Sequence, residues 1–144
     1  MSDLKTQFDD SSFPIVRIKF GNTIKDEELD DFEKFWLKQY LKEQNFYFIL
    51  DTSNLKKFPL TYVNKFSDFT KKIRKLEVQY LKTSVLLINN PFVRTIYKLY
   101  LKIQTPISKV YIVKNLEEMN KKTLELIKDE GIKVEGECEN YRFL

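Results

Sequence analysis

The chain contains no histidine. That absence removes the commonest general base, the commonest metal ligand and every Ser-His or Cys-His nucleophile pair, which argues against most enzyme classes. Cysteine is nearly as scarce. Cys138 stands alone, which excludes an internal disulfide, and its flanking carboxylates disfavour the reactive thiolate. Only 3 Gly and 4 Pro interrupt 144 residues, too few for a disordered or loop-rich chain. No run reaches the roughly 18–20 apolar residues of a membrane-spanning helix. Met1 to Ser12 holds three acidic residues and no apolar core, unlike a signal or transit peptide. A cytoplasmic, non-enzymatic protein is expected, with no cofactor and no metal. The carboxylates Asp26, Glu27, Glu28, Asp30, Asp31 and Glu33 lack the glycine-turned spacing of a calcium loop and suit the solvated start of a helix.

What is present is enough for one core. A chain of this length buries about two-thirds of its unfolded surface, and 42% hydrophobic with 15% aromatic residues supply the material. Residues 15 to 20 alternate apolar and cationic side chains, as a half-buried strand does. Thr23 and Asp26 resemble a capping box, and Leu29, Phe32, Trp36 and Tyr40 then recur at helical spacing to a predicted end near Glu43. Phe46 to Leu50 reads as a central strand running into the polar turn Asp51, Thr52, Ser53, Asn54.

Tyr62, Phe66, Phe69, Ile73, Leu76 and Tyr80 predict a second long helix, with Thr61 as its cap. Ser84 to Asn89 is a further buried strand, and Asn90-Pro91 opens a third helix that Thr105-Pro106 ends. Val110 to Val113 is the next strand. Asn115 and Glu118 cap a fourth helix with Leu116, Met119, Thr123 and Ile127 inward, stopped by Gly131. Ile132 and Val134 suggest a short last strand. The β-α-β-α-β-α-β-α order predicts an α/β fold: one mixed, largely parallel sheet of four to five strands with four helices. The domain spans residues 13 to 134, between a flexible segment at 1 to 12 and a polar tail at 135 to 144.

Three segments together resemble the STAS-like superfamily, which includes the anti-sigma-factor antagonists and, more distantly, the CRAL-TRIO lipid-transfer domains. They are Phe48-Ile-Leu-Asp-Thr-Ser-Asn-Leu55, similar to a strand with its Asp-x-Ser turn; Val85 to Leu99, similar to a strand, an Asn-Pro-Phe turn and a helix; and Lys109 to Met119, similar to a last strand and its Leu-Glu-Glu helix start. The resemblance implies a regulator or ligand carrier. The phospho-acceptor stretch of the antagonists falls by register near 58 to 61, where Thr61 supplies the hydroxyl and the acidic and glycine positions are lost.

Charge is distributed unevenly. Residues 1 to 55 hold 7 basic and 11 acidic side chains, residues 56 to 114 hold 13 and 2, and residues 115 to 144 hold 5 and 8. The central excess predicts a basic face on the second and third helices that attracts anionic partners. Lys71, Lys72, Arg74, Lys75, Arg94, Lys98, Leu101 and Lys102 are the candidate partner-binding residues. Phe92, Val93, Ile96, Leu99, Tyr100 and Ile103 make a wide apolar sector on the third helix, while Leu101 falls beside Arg94 and Lys98.

Asp51, Thr52, Ser53 and Asn54 end a central strand, where open α/β sheets place ligand crevices, and form a candidate docking edge. Thr61 is a candidate phosphorylation site, since a phosphate there would meet a helix amino terminus beside Lys56 and Lys57. The expected partner is a protein docking on the basic face. Anionic lipid or a membrane surface is the alternative, and nucleic acid a further one that lacks interleaved exposed aromatics.

Overall fold

The computed structural model describes residues 4–133. Its elements are β1 (Gln7–Asp9), β2 (Ile15–Lys19), α1 (Asp26–Tyr40), β3 (Phe46–Asp51), α2 (Thr61–Arg74), β4 (Leu81–Leu87), α3 (Pro91–Ile103), β5 (Lys109–Val113) and α4 (Leu116–Asp129). The five strands form one sheet in the order β1-β2-β3-β4-β5. β1 pairs antiparallel with β2, and every later pair is parallel. This is the mixed, largely parallel α/β sheet expected from the alternation of patterns.

Period-two alternation sorts the strand residues between two cores. Val16, Ile18, Phe46, Phe48, Leu86 and Ile88 face α1, α2 and α3, where they meet Leu29, Phe32, Trp36, Phe69 and Val93. Ile15, Tyr47, Ile49, Val85 and Leu87 face the other way, against Met119 and Leu126 of α4. Three helices therefore cover one face of the sheet and a single helix covers the other. Aromatic rings dominate the first core: Trp36 sits 5.1 Å from Phe48 and 5.4 Å from Phe69, both edge-on, while Phe32 stacks on Phe66 at 5.5 Å.

The structure corrects several boundaries. Thr23 does not cap α1, because its backbone forms a parallel bridge with Lys57; Lys25 takes the cap position without a side-chain bond, and Asp26 instead pairs with Lys65 at 2.9 Å. Thr61 is the first residue of α2 and not its cap, which falls on Leu60. That helix stops at Arg74, although Leu76 and Tyr80 keep the helical spacing. The Gln79 amide folds back to donate to the Ile73 and Leu76 carbonyls at 2.8 and 3.0 Å, and the chain extends into β4, which begins at Leu81 and not at Ser84.

Residues 7 to 9, expected to be flexible, form the antiparallel edge strand. Phe8 packs on Phe35 of α1 at 5.0 Å. The fourth helix follows its sequence closely: Asn115 Oδ1 accepts from the Glu118 amide at 2.8 Å, and the Glu118 carboxylate accepts from the Lys114 amide at 2.7 Å. At the other end Gly131 adopts φ 60°, and the Ile132 amide reaches the Ile127 carbonyl at 3.0 Å, a Schellman closure. Leu116 is exposed where an inward position was expected, and Leu126 is buried in the core. Ile132 belongs to no strand, and Val134 and Cys138 lie outside the described residues.

Asp10 fastens the amino-terminal segment to the end of α1. Its carboxylate accepts from the Gln39 amide at 3.0 Å and pairs with Lys38 and Lys42 at 3.3 and 3.2 Å. Burial pushes the Asp10 pKa upward, but the hydrogen bonds from Gln39, Lys42 and Lys38 outweigh it and hold the group down to about 2, against 3.8 ordinarily. A depressed folded-state pKa means that the unfolded chain binds more protons, so this stabilisation is complete above the ordinary pKa and is lost as pH falls through about 2. Asp10→Asn is expected to lower unfolding stability by about 1–2 kcal/mol at neutral pH, after allowance for solvent screening. Urea titrations of both proteins at neutral and acid pH check it; a gap that does not close on acidification contradicts the assignment.

Candidate functional site

Between the sheet and its three-helix cover lies a cavity of about 180 Å³, partly open to solvent. Phe48, Leu50, Ser84, Leu86 and Val110 form its floor. Leu29, Phe32 and Trp36 of α1, Val63 and Phe66 of α2, and Val93, Ile96, Tyr97 and Tyr100 of α3 form its walls. The lining is almost wholly apolar. Of its hydroxyls, that of Tyr100 is turned aside to donate to Thr70 Oγ1 at 3.0 Å. Burial pushes the Tyr97 and Tyr100 phenols above their ordinary pKa, so both stay neutral at physiological pH.

The two ends of the cavity differ. Thr6, Phe20, Glu28, Leu55 and Phe58 line the end at the carboxyl termini of the parallel strands. A strap of residues 4 to 6 runs there: the Leu4 amide donates to Asn22 Oδ1 at 2.8 Å, the Thr6 amide to Glu28 Oε2 at 3.2 Å, and the Gly21 amide to Thr6 Oγ1 at 3.0 Å. Leu81, Pro106, Ile107 and Ser108 line the opposite end. Beside it, the Arg74 guanidinium crosses from α2 to donate to the Thr105 carbonyl.

The predicted basic residues are all exposed. At helical spacing Lys71 and Lys75 lie toward the middle of the outer face of α2. Lys72, with Lys65, leans toward Glu33 of α1, whose pKa burial and Asp30 raise and these two lysines lower. Arg74 occupies the α3 side. On α3, Arg94, Lys98 and Lys102 are exposed, and Arg94 stands about 12 Å along the helix from Lys102. Leu101 is 39% and Ile103 47% exposed, so apolar surface does accompany the charge.

The docking edge at the end of β3 is turned mostly inward. Asp51 and Thr52 are only 6% and 5% exposed. Asp51 Oδ1 accepts from the Ser53 amide at 2.8 Å, and Thr52 Oγ1 donates to the Leu87 carbonyl at 2.5 Å. Their polar atoms close an Asx-type turn, while Thr52 also lines the cavity and Ser53 and Asn54 are partly exposed. Thr61 is exposed at the start of α2. Among the described residues, no acidic cluster is placed to hold a metal ion, and no helix is long and apolar enough to cross a membrane.

Sequence patterns did not reveal the cavity, because a void depends on the distance between elements rather than on any residue type. The available sign was the wide apolar sector of α3. Only Val93 and Tyr100 of that helix are buried, and Ile96 and Tyr97 join them in lining the space beneath it. No protein-family model, curated protein or solved structure matches this chain.

A Cβ at Gly21 would stand 2.1 Å from the Leu4 carbonyl oxygen, a contact with rigid backbone that only displacement of the strap relieves. Gly21→Ala is expected to release residues 4 to 6 without unfolding the sheet. Amide exchange at Thr6 should then rise by roughly tenfold or more, equivalent to about 1.4 kcal/mol of lost local stability. Unchanged protection at Thr6 would show that the strap does not depend on this close approach.

Proposed function

We propose that this protein is a non-enzymatic binding domain that holds an apolar ligand in the cavity between the sheet and α1, α2 and α3. The observation that carries this reading is the lining, aromatic and aliphatic on nearly every side. Such a space gives up little hydration when it is filled, and a cavity of about 150 Å³ lined in this way is known to stay dry and accept benzene. The STAS-like resemblance, with its lipid-transfer branch, agrees with a carrier or ligand-dependent regulator. Trp36, the single tryptophan, lies in the wall and is 5% exposed, so its emission reports directly on occupancy.

Small apolar probes such as benzene or 1-octanol are expected to shift Trp36 fluorescence saturably and to raise the melting temperature. Ser84→Leu places extra volume on the cavity floor. It is expected to abolish the fluorescence response while leaving the fold intact, with a stability change within about 1 kcal/mol of zero. An undiminished response in that variant would locate binding elsewhere.

A second reading, docking of an anionic protein on α2 and α3, is favoured by Leu101 and Ile103 standing exposed beside Arg94, Lys98 and Lys102. Replacing Lys71, Lys72, Arg74 and Lys75 together by Gln is expected to remove salt-sensitive partners from a nuclease-treated pull-down in the native host. The same partners recovered at the same salt would sink it.

A further inference from the structure

We infer that the natural ligand is a medium-chain carboxylate, its tail in the cavity and its carboxylate at Arg74. This rests on the cavity being a ligand site and adds the chemical class and the orientation. Size sets the tail. A volume of about 180 Å³ compares with the roughly 150 Å³ that accepts one benzene ring, so it takes a chain of about six to eight carbons. The lining offers almost no polar surface to a head group, so the head group must remain at an end.

Charge decides between the ends. At the carboxyl end of the strands the cavity meets Glu28, in the acidic first turn of α1 with Asp26 and Glu27, and the strap of residues 4 to 6 crosses there. A carboxylate entering there would lie against Glu28, the charged residue of the lining. At the opposite end, Pro106, Ile107 and Ser108 line the cavity and Arg74 reaches the adjacent Thr105 carbonyl. Lys75 follows Arg74 in the chain, and Lys102 lies one turn before Thr105. From Phe69 to Leu116 the sequence holds a single acidic residue, Glu77. A guanidinium carries five N–H donors in a planar fork that matches a carboxylate, and the bond to Thr105 uses one of them. Arg74 thereby has the position, the charge and the geometry to hold the head group while the tail points under α3 toward Trp36.

The test compares octanoate with 1-octanol, which shares the tail and lacks the charge, by Trp36 fluorescence and melting temperature on the full chain. Octanoate is expected to bind roughly five- to tenfold more tightly than 1-octanol at low salt, with the preference shrinking as salt rises. Arg74→Gln is expected to remove that preference while leaving 1-octanol affinity unchanged, whereas Lys34→Gln on α1 leaves both unchanged. Retained 1-octanol binding shows that the Arg74 variant is folded. Equal affinities in the wild type, or a preference that survives Arg74→Gln, overturns the carboxylate assignment and leaves the cavity reading standing. Failure of both ligands to bind overturns the cavity reading itself, and this inference with it.

Discussion

The architecture depends on a mismatch of spacings. Consecutive parallel strands lie side by side in chain order, so right-handed crossovers bring α1, α2 and α3 to the same face of the sheet. Strands repeat at about 4.8 Å, whereas packed helices need about 8–10 Å between axes. Three helices therefore cannot each rest above their own pair of strands. They spread across the face, and the layer between helices and sheet is filled by large rings where it can be and left open where it cannot.

The two margins of the sheet resolve this spread differently. Under α1 the antiparallel β1 widens the platform, and Phe8 meets Phe35 there. Beyond β5 no further strand follows among the described residues, and α3 buries only Val93 and Tyr100. The cavity lies inward of that margin, beneath all three helices and over β3, β4 and β5.

Much of this was legible in the sequence because local signals were strong. The stripe Leu29, Phe32, Trp36 and Tyr40 is the buried face of α1, and Asn115, Glu118 and Gly131 delimit α4 where their chemistry requires. The signals failed where a tertiary contact overrode them. Thr23 had the chemistry of a cap but was drawn into a bridge with Lys57, and Leu76 and Tyr80 kept helical spacing after Gln79 had closed the helix. The short β1 carries too few residues to show a period, and its pairing with β2 is what defines it. For the candidate site the basic residues could be counted but not placed. Only the fold separates Arg74, beside the cavity, from Lys72, which leans toward Glu33.

The attachment of α3 has a consequence for how the molecule comes apart. That helix is held to the body by Val93, by the Tyr100 ring and its hydroxyl on Thr70, and by the Arg74 bridge to Thr105. The opposite margin is tied by the strap, by the Asp10 cluster and by a paired edge strand. Detaching α3 would uncover the wall that Ile96, Tyr97 and Tyr100 give to the cavity, so whatever loosens those few ties also opens the interior of the larger core.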